Sequence, residues 1–183
     1  DENINGIQIK SSLATIKEWI PKLQNMNVDV LSVLTSSGVP WDRKEVYNDF
    51  VSNDLLNVSN KYLNAIELGY FSEGVDFIIS GGISKGYNTP WYDNYSHTYI
   101  FQNYGNGTGF GHFKLNYDLL EKKFTGYTSA VKNNISQTLF IDDFNFDQEQ
   151  YDWIEKKSNY AIDKIYQDTD WNRIVKSDSK NNN

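Results

Sequence analysis

Cysteine is absent from the 183 residues, and histidine occurs twice, at His97 and His112. The first absence removes disulfides, Cys-ligated zinc, iron–sulfur clusters and thiol nucleophiles together. The second removes any His-rich metal site, and the two histidines lack the spacing of a helical ligand pair. Arginine is nearly missing too. Arg43 and Arg173 are its two occurrences among 17 cationic residues. Because Arg supplies bidentate phosphate contacts and phosphate neutralisation dominates nucleic-acid affinity, no direct nucleic-acid binding is expected. No apolar run reaches the roughly 18–20 residues of a membrane-spanning helix.

What remains is a chain of 39% hydrophobic and 15% aromatic residues with a formal charge of −7. That composition is sufficient for a core without staples, and the length suits a single α+β domain over 1–183, with 1–10 and 175–183 frayed. The negative charge suits a protein partner with a basic surface, since opposite charge speeds encounter. The chain begins at Asp1 and its one methionine is Met26, as in a trimmed chain or one that has lost a leader. No targeting segment is visible, and the compartment, cytoplasmic or secreted, stays open.

Hydrophobic spacing organises the chain. Leu13, Ile16, Ile20 and Leu23 predict a helix over 11–24, with Pro21 kinking or ending it. Val28 to Leu34 reads equally as strand or helix. The pattern from Asp42 to Leu68 is helical, broken near Ser52–Asp54, with Val46, Phe50, Leu55, Val58, Tyr62 and Ile66 on one face and Gly69 as a stop. The period then changes. Val75–Ser80, Ser96–Asn103, Phe110–Tyr117, Phe124–Ser129 and Thr138–Phe144 read as strands. A hairpin about Tyr104–Gly109 would set Ile100 opposite Phe113 and Thr98 opposite Leu115. Asp147 and Gln150 form a capping-box pattern ahead of a helix over 148–168, carried by Tyr151, Ile154, Ala161, Ile162 and Ile165. The expected architecture is N-terminal helices, a four- or five-stranded antiparallel meander sheet, and a C-terminal helix packed on one face.

Several motifs invite chemistry. Gly82-Ile83-Ser84-Lys85-Gly86 matches G-x-S-x-G after a strand, but Tyr87-Asn-Thr-Pro-Trp91 does not start the helix a nucleophile elbow needs. The same glycines could form an anion nest over Gly81–Ser84 with Lys85, although the Walker pattern is not met. Asp142-Asp143-Phe-Asn145-Phe-Asp147 alternates oxygen side chains without the glycine and distal glutamate of a calcium loop. His97 and His112, with Asp93 and Asp118 nearby in sequence, could form a base or metal pair, and structural hydrogen-bonded histidines are the simpler reading. Glu67, Glu73 and Asp76 could supply paired carboxylates, whose separation the sequence does not give.

The densest aromatic stretch is Tyr87, Trp91, Tyr92 and Tyr95, ending at His97. Amphipathic rings make low-entropy contact surface for proteins and platforms for sugars. With Lys85, these residues form the expected binding site. The reading that follows is a non-enzymatic acidic binding protein, of the kind an immunity protein or inhibitor represents. The alternatives are a carbohydrate- or small-ligand-binding module using the 87–97 loop, and a small hydrolase using Ser84 or a His/Asp site. No cofactor or resident metal is expected.

Overall fold

The computed structural model describes residues 10–55, 58, 62–83, 85–129, 137–139 and 147–168. Two compact units result, Asp1–Phe140 and Ile141–Asn183. One helix of the first unit precedes its first strand, and two more lie between the first strand and the second. α1 (Ser12–Gln24) buries Leu13, Ile16 and Ile20, as their spacing requires. It runs through Pro21 because the ring falls in the last turn, where it removes a single N–H and the helix ends three residues later. α2 (Arg43–Asp49) passes into a π-helical turn, Phe50–Asp54, at the break expected near Ser52–Asp54. α3 (Ala65–Tyr70) starts from a complete capping box: Asn64 Oδ1 accepts from the amides of Ile66 and Glu67, and Glu67 Oε2 accepts from the Asn64 amide. Gly69 does not stop this helix. It lies inside it, where a Cβ would come within 2.4 Å of Ile100 Cδ1.

The undecided apolar stretch before the Thr35 loop supplies a strand, β1 (Ser32–Thr35). It forms a four-stranded sheet with β2 (Phe77–Ser80), β3 (Trp91–Tyr92) and β4 (Tyr99–Gln102), in the order β1-β2-β4-β3. β1 and β4 both run parallel to β2, and only the edge strand β3 is antiparallel. The α+β class therefore holds, but the single antiparallel meander does not. Parallel neighbours need a crossover, and the residues that read as a separate helical block, α2 and α3, are that crossover between β1 and β2. The hairpin about Tyr104–Gly109 also fails, because both edges of β4 are already taken by β2 and β3.

The strands that follow pair among themselves. β5 (Gly109–Gly111) pairs with β8 (Gln137–Leu139), and β6 (Phe113–Asp118) pairs with β7 (Lys123–Ser129), both antiparallel. Of the expected strand Thr138–Phe144, Thr138 and Leu139 lie in β8, and the rest lies outside the described residues. At the tip of the β6–β7 hairpin Asp118 Oδ1 accepts from the amides of Leu120 and Glu121, which holds its carboxyl below the usual aspartate range.

Register separates the two faces of the main sheet. Val33, Ile78 and Ile100 align on one face and join the core formed with Leu13, Ile16, Phe50, Leu63 and Ile66. Leu34, Ile79 and Phe101 align on the other. There the rings of Phe77, Tyr99 and Phe101 meet Phe113, Phe124 and Tyr127 of the hairpin, with Phe101 and Phe113 stacked at 4.0 Å. In the second unit, α4 (Gln148–Asp168) occupies the expected span. Asp147 Oδ1 accepts from the Gln150 amide, the N-cap half of the expected box.

Candidate functional site

The parallel strands give the first unit two distinct poles. At their carboxyl ends the loops after β1, β2 and β4 are tied by one buried side chain, Gln102. Its Oε1 accepts from the Val39 amide at 2.6 Å and lies 2.9 Å from the Ser80 hydroxyl, and its Nε2 donates to the Lys85 carbonyl. The Ser80 hydroxyl also reaches the Ser37 carbonyl at 2.7 Å. Gly82 has φ +89°, and a Cβ there would lie 1.9 Å from the Ser36 carbonyl oxygen. The glycines after β2 thus serve close backbone approach. The Gly81 amide donates to the Thr35 carbonyl and so is not available to an anion nest. Ser84 lies outside the described residues, as do Asp142, Asp143 and Asn145 of the calcium-like stretch.

Above this lock runs a strip of rings and cations. The Tyr87 hydroxyl donates to the Pro40 carbonyl, which fixes its ring beside the start of α2. The Arg43 guanidinium lies 4.1 Å from the Tyr87 ring and 6.0 Å from that of Trp91, and donates to the Thr89 carbonyl. The Lys85 ammonium lies 4.5 Å from the Trp41 ring and 5.5 Å from Tyr87. Trp41 is 68% exposed. Burial lowers the Arg43 pKa and raises that of Tyr87; neither change alters the charge state at neutral pH. Beside the strip, a shallow groove along α2 is bordered by Asp42, Glu45 and Asp49, with Lys44 among them.

The expected aromatic site therefore divides. Lys85 and Tyr87 join the strip. Trp91 is half-buried, its ring 5.3 Å from Tyr47 and its Nε1 without a hydrogen-bond partner among the described residues. Tyr95 is 59% exposed and stacks on Tyr70 at 4.4 Å. Asp93, fully buried, turns the chain between β3 and β4, with Oδ1 accepting from the amides of Tyr95 and Ser96. Burial first, and the Asp93 carboxylate second, push the Tyr47 hydroxyl well above the usual tyrosine range, so Tyr47 remains a proton donor beside that carboxylate.

Tyr92 and His97 belong to the opposite pole, at the amino ends of the parallel strands. The Tyr92 hydroxyl and His97 Nδ1 are hydrogen-bonded at 2.9 Å. His97 sits at φ +61°, a left-handed conformation few non-glycine residues adopt. It borders a cleft with Glu73 and Asp76, two of the three acids singled out in the sequence. The third, Glu67, is buried and bound into the α3 cap. No group of three His, Cys, Asp or Glu side chains among the described residues could hold a metal ion, and no described helix is long and apolar enough to cross a membrane.

Neither a family model, nor a curated protein, nor a solved structure matches this chain. The two poles therefore carry the functional argument by their own chemistry. Trp41 and Arg43 entered it only through the structure. The sequence signal was Pro40-Trp41-Asp42-Arg43 at a helix start, with a large ring just outside the first turn.

Proposed function

We propose that this is a binding protein that engages another protein through the strip of Trp41, Arg43, Lys85 and Tyr87. One observation carries the reading: an exposed tryptophan, a tyrosine and an arginine are held in a fixed arrangement by a buried hydrogen-bond lock. Trp, Tyr and Arg are the residue types most enriched in binding hot spots, and preorganised side chains lose little entropy on association. The acids along α2 form a charged rim next to these anchors, suited to a partner with basic residues at its own periphery. Sugar stacking needs free ring faces. Here Arg43 covers Tyr87, Lys85 covers Trp41 and Tyr70 covers Tyr95, which favours protein over carbohydrate.

The test is comparative capture from a lysate of the source cells on immobilised wild type, Trp41→Ala, Arg43→Ala and Trp19→Ala. Trp19, 48% exposed on α1, controls for a ring outside the strip. A partner retained by wild type and Trp19→Ala and lost from the two strip variants supports the reading. Equal retention on all four overturns it.

A further inference from the structure

The cleft at the amino ends of the parallel strands has a chemistry the strip does not share. Its apolar lining is Ile20 and Pro21 of α1, Val75, and Phe124 from β7, and its polar groups are Gln24, Glu73, Asp76, Ser96 and His97. Gly74, at φ +91°, lets the Gln24 amide pack against the loop where a Cβ would meet it at 2.2 Å, so the loop that presents both acids lies close against α1. Asp76 is held from two sides: its Oδ2 accepts from the Leu31 amide at 2.8 Å, and its own amide donates to the Leu31 carbonyl. Its Oδ1 has no hydrogen-bond partner among the described residues.

Neither acid is ion-paired among the described residues. The cations of α1 are turned to other work: Lys22 bonds Glu18 at 2.7 Å and Lys17 lies over the Phe71 ring. Asp29 adds negative charge near Asp76, and both sit close to the Tyr117 hydroxyl. A half-buried carboxylate without a counter-charge is unfavourable in an isolated fold. Burial indeed raises the Asp76 pKa, with the Leu31 amide partly opposing it. An open, partly apolar cleft of one sign of charge concentrates counter-ions.

We propose that this cleft binds a guanidinium group, with Glu73 and Asp76 as its anionic contacts and Phe124, Pro21 and Ile20 against its alkyl stem. A guanidinium is planar, weakly hydrated and suited to stacking on a phenyl ring, whereas an ammonium would have to shed a tighter water shell in a cleft with three apolar walls. Acid neutralises Asp76, whose pKa burial already raises, so affinity falls as pH falls.

The group could come from a free small molecule or from an arginine of a polypeptide. The full chain is titrated with ethylguanidinium, with its neutral counterpart ethylurea, and with a short arginine-containing peptide, followed by NMR at the His97 ring and the Glu73 and Gly74 amides. Saturable shifts with ethylguanidinium and none with ethylurea are expected. Glu73→Gln and Asp76→Asn, which keep shape and the acceptor for Leu31, should each weaken binding about fivefold or more. A peptide that binds about tenfold tighter than ethylguanidinium assigns the site to a polypeptide arginine, and equal affinity assigns it to a free ligand. Equal response to ethylurea, no saturable shift at His97, or unchanged affinity in both folded variants overturns the proposal. Trp41→Ala leaves this titration unchanged, so its outcome is independent of the strip.

Discussion

The carboxyl ends and the amino ends of the same parallel strands are built on opposite principles. At the carboxyl ends every polar group of the lock has a partner, and the rings and cations above it are already engaged with one another. At the amino ends the backbone is equally well tied, through Asp76 and Leu31 and through Thr98 to Val75, yet among the described residues the charge of the acids is left uncompensated. A surface whose cations are parked on rings offers contact area and shape. A cleft whose acids are unpaired offers charge. Open sheets of parallel strands commonly place ligands beyond the carboxyl ends; this one has a candidate surface at each end, and the two differ in the partner they suit.

The sharpest way to break the comparison is at Gln102. Gln102→Ala strips the Val39 amide of its buried acceptor and the Lys85 carbonyl of its donor, and opens a void between three strand ends. A loss of about 3 kcal/mol is expected, since each buried unsatisfied polar group costs roughly 1–3 kcal/mol. Urea unfolding measures it. Strip-dependent binding should fall with it, while the cleft, at the far ends of the strands, keeps its response to ethylguanidinium below the unfolding range. A loss of about 1 kcal/mol or less would show that these bonds do not lock the strand ends.

Next in size is the strip itself. Trp41→Ala removes an exposed ring, so stability should stay within about 0.5 kcal/mol of wild type. Affinity for the captured partner should fall by about 2 kcal/mol, the scale of an aromatic hot spot, in calorimetry or surface binding. Trp91→Ala should behave in reverse. Its ring packs on Tyr47 and borders the core, so its removal should lower stability by about 2 kcal/mol, less than a fully buried aromatic loses. If Trp91→Ala leaves stability unchanged and weakens binding instead, the anchor lies nearer the β3 edge than Trp41.

What the sequence made legible follows from how local the physics is. α1 and α4 declare themselves because their apolar residues recur with the helical period, and the cap of α4 lies within four residues. β2 shows as Val75–Ser80 because a short β-branched run ends in glycines. β1 does not, because Val28–Leu34 has no period, and whether it runs parallel to β2 depends on a crossover that only tertiary packing of α2 and α3 reveals. The aromatic loop is visible as composition, but the side chains of Trp91 and Tyr92 leave β3 on opposite faces, and the Asp93 turn sends His97 to the amino-end cleft. Glu73 and Asp76 stand out as acids. Their meeting with His97 does not, since β2 and β3 intervene and strand order brings them together. Trp41 is legible only as a large ring just outside the first turn of α2; that it faces solvent depends on tertiary packing.

The smallest expected effect tests the uncompensated charge directly. Asp76 has its pKa raised on folding, chiefly by burial, so the folded state holds its proton more tightly than the unfolded one. Below the unfolded value both states are protonated and the residue contributes no difference. As pH rises between the unfolded and folded values, the unfolded chain releases its proton first, and stability falls; above both, the deficit is constant. Asp76→Asn keeps an acceptor for the Leu31 amide but cannot ionise. It should match wild type at acid pH and exceed it slightly at neutral pH, by much less than the Gln102→Ala loss, in urea unfolding followed across that interval. A variant less stable than wild type at neutral pH would mean that a cation already balances the carboxylate, and the contrast between the two ends of the sheet would then be one of shape alone.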